Sequence, residues 1–388
     1  MEVFEYHRGG KIRIGLSKPI RTREDLSLAY TPGVAEVSKR IWSEPELSFR
    51  YTFRGNSVAV VTDGSAVLGL GNIGPEAALP VMEGKCALFK KFADIDAVPL
   101  CVRGDVAETV KAVAPTFGGI NLEDISAPLC FEVEKKLENA GIPVMHDDQH
   151  GTAVVVLAGL LNALKLTGRT VEDASIVVNG AGAAGTAVTK LLVCYGFRDI
   201  TVCDTKGAIY SGREGNTEIK EELASLTGRT EPGTLEEVLE GKNVFIGLSA
   251  PNVLGERAVK AMERDPVIFA LANPDPEIHP EAAIRAGAAV VATGRSDYPN
   301  QINNALAFPG IFRGALDSRC AKITDGIKVA AAEAIASVAE GVIPDIFDPR
   351  VHASVAEAVA RTAYEEGVAA VRVPENYFRE VLKRISRE

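Results

Sequence analysis

Two pairs of adjacent acids, Glu123-Asp124 and Asp147-Asp148, are the residues of this 388-residue chain best suited to chemistry. Each pair closes a short apolar run that reads as a strand, residues 119–122 in one case and 142–145 in the other. Adjacent carboxylates at such a place are costly unless a cation, a lysine or water faces them. Three carboxylates around one point repel unless a divalent cation joins them, and all-oxygen ligation suits Mg2+ or Mn2+ rather than Zn2+. The competing reading is a set of solvated helix caps, because Asp is common at helix starts. A metal pair of His146 and His150, four residues apart, is discounted. Asp147 and Asp148 lie between them at an expected strand-to-helix turn, where helical register is not expected.

A second constellation is Gly180-Ala-Gly-Ala-Ala-Gly185. It follows a β-run at 174–179, opens a helix to about 196, and precedes a strand ending on Asp204. That is the full context of a dinucleotide fold. Gly180 makes the tight turn and Gly182 lets the backbone approach a pyrophosphate. Ala183, Ala184 and Gly185 open the helix whose N–H groups face it. Asp204 fits a ribose hydroxyl, which favours NAD; Lys206 and Arg213 nearby could instead hold the 2′-phosphate of NADP.

Elements that must position these groups alternate strand and helix, which predicts an α/β protein with parallel sheets. Residues 1–29 read as an arm rich in Arg and Lys with short helical pieces. Residues 51–54 and 57–62 are β-rich runs split by Gly55-Asn56, a hairpin signal, and Asp63-Gly64 turns the chain before 66–68. A glycine-dense segment, 69–76, opens a helix over 76–92 carrying Lys85. A strand at 97–102, helices at 106–117 and 128–140, and an apolar helix at 152–166 complete the first half. Further strands are expected at 243–247, 267–272 and 288–292, and three helical stretches after Thr324. Domains are expected over 1–150 and 151–388, with the tail free to pack back on the first.

The composition narrows the class. A net charge of −10 without a basic block argues against a nucleic-acid partner. Six cysteines form no Cys-x-x-Cys pair and read as reduced thiols of a cytoplasmic protein. No run approaches the length of a membrane span.

Taken in order, several stretches resemble the malic enzyme family in its short prokaryotic form. They are Ala29-Tyr-Thr-Pro-Gly-Val-Ala35, Val81-Met-Glu-Gly-Lys-Cys86, Asn121-Leu-Glu-Asp-Ile125, His146-Asp-Asp-Gln-His-Gly-Thr152, Ala272-Asn-Pro274 and Asn303-Asn304. The resemblance implies an N-terminal α/β substrate and metal domain, followed by a doubly wound NAD(P)-binding domain with a helical tail. It implies L-malate as substrate, oxidised and decarboxylated to pyruvate and CO2, and Mg2+ or Mn2+ with NAD or NADP as cofactors. By the same resemblance Tyr30 is the general acid, Lys85 the general base and Asp147 its partner. Glu123, Asp124 and Asp148 are the metal ligands, and Asn273 and Asn304 contact malate or the nicotinamide. A homodimer or higher homo-oligomer is implied, with the basic arm a candidate for crossing between subunits. One departure is Ala66, where longer members carry an arginine on malate's carboxylate. It keeps oxidation of another 2-hydroxy diacid such as tartrate as an alternative, and an oxaloacetate decarboxylase whose nucleotide domain is regulatory is a second. A non-catalytic NAD-binding regulator is the remote one, since lysine, tyrosine and acids are all present.

Overall fold

A computed structural model describes residues 2–67 and 69–386. The arm carries α1 (Val3–His7), α2 (Arg23–Ala29), α3 (Val34–Ser43) and α4 (Ser48–Tyr51), and none of these helices buries a residue. Four parallel strands follow, β1 (Ser57–Thr62), β2 (Asp96–Cys101), β3 (Gly119–Leu122) and β4 (Val144–His146), in the order β2-β1-β3-β4. The sequence of β1, Ser-Val-Ala-Val-Val-Thr, is buried throughout, as a central strand covered on both faces should be. Helices α5 (Gly74–Ala93), α6 (Val106–Val113), α7 (Leu129–Leu137) and α8 (Asp147–Leu166) come between and after these strands.

The second sheet has six strands. They are β5 (Ser175–Asn179), β6 (Asp199–Asp204), β7 (Gly207–Ala208), β8 (Val244–Gly247), β9 (Val267–Ala270) and β10 (Val290–Thr293). Their order is β10-β9-β8-β5-β6-β7, parallel except for the β6–β7 pair. Helix α9 (Ala183–Tyr195) follows β5, and α10 (Glu218–Thr227), α11 (Leu235–Leu239), α12 (Glu256–Ala261) and α13 (Pro280–Arg285) lie between the later elements. The chain leaves β5 first to one side and later to the other, so β5 and β8 bound a switch point where nucleotides bind in open α/β sheets. The expected doubly wound architecture is present.

Helices α14 (Phe308–Ser318), α15 (Asp325–Val338), α16 (Pro349–Glu365) and α17 (Tyr377–Ile385) form the tail. They return to the first sheet: Phe89 of α5 meets the rings of Phe308 and Phe312 edge-on, at 4.7 and 5.4 Å. One apolar cluster runs from Val58 and Phe89 through Val154–Leu160 of α8 to Ile176 and Phe308, so α8 is buried on nearly every side.

Two local expectations fail. The 51–62 hairpin is absent: Phe53–Asn56 is a 3-10 turn following α4. Both edges of β1 are taken by the parallel strands β2 and β3, which leaves no edge for an antiparallel partner. Gly55 is a close-approach residue, since a Cβ there would stand 1.9 Å from the Phe49 carbonyl oxygen. Of the run 66–68, Val67 makes an isolated bridge to Gly71, and Leu68 lies outside the described residues. The second failure is the start of α8, which begins at Asp147 and not near Thr152. Asp147 and Asp148 are therefore first-turn residues, and the ground for setting aside a His146/His150 pair was wrong. The two histidines still form no metal site, because His150 Nε2 is engaged by Glu134 at 2.9 Å.

The tail is tied to the first sheet through Arg313, which is 1% exposed. Its guanidinium donates to Asn56 Oδ1 at 2.6 Å and Asp317 Oδ2 at 2.8 Å, while Tyr377 Oη donates to Asp317 at 2.7 Å. Removing the guanidinium leaves the part-buried Asp317 and Asn56 without their partner. We expect Arg313→Ala to lose about 3 kcal/mol of stability, read as a lower urea midpoint.

Candidate active site

The carboxyl ends of β1, β3 and β4 converge on Lys85, which α5 supplies from its buried face. Its ammonium lies 2.7 Å from Glu123 Oε1 and 2.7 Å from Asp147 Oδ2. The Phe308 ring centroid is 4.4 Å from Nζ on a further side. Burial pulls the Lys85 ammonium toward neutrality, but Asp147, Glu123 and Asp148 outweigh it and hold its pKa above the ordinary lysine value. Burial raises the carboxyls of Glu123 and Asp147 in turn, with Lys85 opposing. Asn121, two residues before Glu123 and so on the same face of the strand, donates to Glu123 Oε2 at 2.8 Å.

Beside this pair stands an acidic triad. Glu123, Asp124 and Asp148 each offer a carboxylate oxygen, all within 4.8 Å of one another. Asp124 has φ of +52°, a left-handed conformation, and its N–H donates to Asp148 Oδ2 at 2.7 Å. Its carbonyl accepts from Ala66 N–H at 3.0 Å. Glu123 and Asp124 are buried at 3% and 4% exposure. An all-oxygen donor set this dense and this desolvated fits a hard divalent cation. Thus Asp147 faces Lys85, and Asp148 faces the triad.

Sequence reasoning missed Gly151. A Cβ on it would lie 1.8 Å from Asp147 Oδ1 and 3.2 Å from Asn304 Cβ. The glycine therefore lets Asp147 fold over the first turn of α8 and brings Asn304 against it. Asn273 follows β9 at a cis Asn273–Pro274 bond, where a Cβ on Gly294 would be 2.5 Å from its Nδ2. A Cβ on Gly69 would be 3.7 Å from Pro274 Cδ, so the glycine-dense loop before α5 borders the Asn273–Pro274 turn. Spacing on a helix, one turn after an acid, was the available signal for Gly151.

In the second sheet Gly180 has φ of +128°, and a Cβ there would strike the Leu248 carbonyl oxygen at 2.3 Å. Gly185 packs on Gly180, where a Cβ would be 1.9 Å from its oxygen, whereas Gly182 faces open space. Ala183 and Ala184 begin α9. Gly180 thus makes a tight turn, Gly185 a close helix contact, and Gly182 leaves the backbone uncovered. Asp204 is already engaged: Oδ1 accepts from Lys206 N–H at 2.8 Å and Arg213 at 3.0 Å, and Oδ2 accepts from Arg213 at 2.5 Å and Lys220 at 2.7 Å. Burial alone would raise its pKa, and these donors drive it well below the usual carboxylate range.

Tyr30 stands apart. It ends α2 on the arm, is 69% exposed, and among the described residues makes no side-chain hydrogen bond to Lys85, Glu123 or Asp147. The chain's own fold does not bring it to the cluster.

Gly151→Ala would force Asp147 off Lys85. Overpacking at such a contact is expected to cost about 1–3 kcal/mol, read as a lower melting temperature against wild type.

Comparison with known proteins identifies the family. The sequence matches the profile described as "Malic enzyme, N-terminal domain" over residues 9–107 and "Malic enzyme, NAD binding domain" over 149–364. It is 55% identical to the bifunctional malic/malolactic enzyme of Bacillus subtilis, over 94% of this chain and 92% of that protein. It is 53% identical to the NAD-dependent malic enzyme of Geobacillus stearothermophilus, over 94% and 79%. The NADP-dependent malic enzyme of Escherichia coli is 48% identical, over 95% of this chain and 52% of that protein. Among solved structures, malic enzyme from Pyrococcus horikoshii superposes with a TM-score of 0.95 at 46% identity, covering 98% of this chain and 94% of that one. The NAD-dependent enzyme of Thermotoga maritima gives 0.90 at 51%, covering 93% and 99%. With both of its halves matched in order by that family's domains, the chain belongs to the malic enzyme family.

Proposed function

We propose that this protein carries out the metal-dependent oxidative decarboxylation of L-malate to pyruvate and CO2 with reduction of NAD(P)+. One observation carries the reading: a buried lysine shared by Asp147 and Glu123 stands beside a three-carboxylate cluster, in a malic enzyme sequence. Residues 1–150 form the substrate and metal domain and 151–388 the coenzyme domain; α8, starting at Asp147, spans that cut.

Glu123, Asp124 and Asp148 would hold Mg2+ or Mn2+. When bound, the ion would supply Lewis acidity toward the substrate's oxygens, and the nicotinamide would supply the acceptor for the C2 hydride. Lys85 Nζ accepts the proton of the 2-hydroxyl, and Asp147 orients that nitrogen. The carboxylates around it hold the pKa of the Lys85 ammonium above the ordinary lysine value, and a cation in the triad would oppose them. Asn273, at the cis Asn273–Pro274 turn, and Asn304, against Gly151, contact malate or the nicotinamide. After CO2 leaves, Tyr30 supplies the proton to C3.

Tyr30 can do so only if the arm is seated against a Lys85 cluster. The arm leaves Phe4 at 89% exposure, Ile14 at 99%, Leu28 at 70% and Trp42 at 87%. We take these exposed apolar side chains as an association face, and we assign it to a homodimer or higher homo-oligomer in which the arm crosses to a second copy. No helix among the described residues is long and apolar enough to cross a membrane. The six cysteines are unpaired, which fits a cytoplasmic protein.

Initial rates with malate, Mn2+ and either NAD+ or NADP+ should show pyruvate and reduced coenzyme formed one to one, abolished by chelator and restored by Mn2+. Oxaloacetate loss without reduced coenzyme, or turnover of tartrate in preference to malate, would replace the reading. Lys85→Ala and Tyr30→Phe are each expected to lower kcat by about 10²–10⁴-fold, and wild-type rates in either would remove that residue's role. For the arm, a Leu28→Asp/Trp42→Asp double variant should elute as a monomer in light-scattering chromatography, where wild type is at least a dimer.

A further inference from the structure

Helix α8 starts without a side-chain cap of its own. Its N-cap residue, His146, makes no capping hydrogen bond, and its ring is 0% exposed with neither nitrogen hydrogen-bonded. The anchor comes from another helix. Glu134, in α7, accepts from His146 N–H at 3.1 Å and Gln149 Nε2 at 2.9 Å, and meets His150 Nε2 at 2.9 and 3.1 Å. A carboxylate only accepts, so His150 carries its proton on Nε2. The anchored positions, 146, 149 and 150, bracket Asp147 and Asp148. Neither acid is held by Glu134 itself; one is committed to Lys85 and the other to Asp124 N–H.

We propose that Glu134 is a positioning residue that clamps the first turn of α8. In this role it sets how Asp147 meets Lys85 and how Asp148 meets Glu123 and Asp124. The inference rests on the assignment of Asp148 to the metal triad. Its physical content is geometric. Losing the clamp strands the buried His146 N–H and the Gln149 amide, and a turn released at three anchors no longer holds the two acids in divergent directions. Glu134 touches neither substrate nor coenzyme residues, so its loss should move metal affinity and leave coenzyme affinity alone.

Two conservative variants separate reach from charge. Glu134→Asp keeps the charge but withdraws the carboxylate by one methylene, about 1.5 Å. Glu134→Gln keeps the length and one oxygen to accept from His146 N–H, with its amide donating to His150 in the other tautomer and to Gln149 Oε1 once that amide is flipped. Mn2+ binding to the coenzyme-free protein is measured by electron paramagnetic resonance, and NADH binding by fluorescence. Expected are a Mn2+ affinity weakened about tenfold or more in Glu134→Asp and less than about threefold in Glu134→Gln, with NADH affinity unchanged in both. Wild-type Mn2+ affinity in Glu134→Asp overturns the proposal. So does a larger loss in Glu134→Gln than in Glu134→Asp, which would make charge the operative property. Parallel weakening of Mn2+ and NADH, the mark of general loosening, overturns it too. Asp148→Asn is the separate check: unchanged Mn2+ binding there removes the metal assignment itself.

Discussion

The ammonium of Lys85, 2.7 Å from both Asp147 and Glu123, is the contact on which the arrangement of the first sheet's carboxyl ends depends. Asp147 is 0% exposed and Glu123 3%, so each would be prohibitively desolvated without it. Buried ion pairs of this kind are poor sources of stability, because desolvation consumes most of the Coulombic gain. Their presence here is better explained by specificity: one cation from α5 is shared by two carboxylates, Glu123 and Asp147, that the pairing of β3 with β4 sets side by side. Glu123 also belongs to the acidic triad, so the same contact joins Lys85 to that triad through a shared carboxylate.

Around that contact, space is rationed by glycine. Gly151 admits the Asp147 carboxylate over the helix turn, and Gly294 admits the amide of Asn273. In the second sheet Gly185 lies on Gly180, and Gly180 on the strand-end carbonyl of Leu248. These are close approaches of backbone and functional groups at the ends of parallel strands, where both sheets present their sites. Helix α8 links the two. Its first turn carries the acids of the first sheet, and its buried body packs in the apolar cluster that reaches β5.

Much of this was legible in residue order. The strand–glycine–helix–acid succession from 175 to 204 admits few architectures, since a tight turn, a phosphate-ready helix end and a strand-end acid are each local properties. Period and apolarity likewise placed β3 and the helix carrying Lys85. The misread hairpin shows the limit. Gly55-Asn56 has the right residues for a two-residue turn, but whether a strand can pair depends on which edges are already occupied, and β2 and β3 arrive later in the chain. The early start of α8 fails similarly, because His and Asp are weak helix formers and the acceptor that meets His146 N–H and His150, Glu134, comes from α7.

What the sequence by itself determined was the inventory: a parallel α/β chain, a dinucleotide loop, two acidic pairs, and a lysine on a helix. These follow from short-range chemistry, where a residue's neighbours in the chain are also its neighbours in space. Tertiary structure alone decided the pairing. It divided Asp147 from Asp148, one toward Lys85 and one toward Glu123 and Asp124. It saturated Asp204 with Arg213 and Lys220, and it left Tyr30 exposed on the arm. Adjacent aspartates are chemically identical, and only the direction each side chain takes from a helix's first turn gives them different partners.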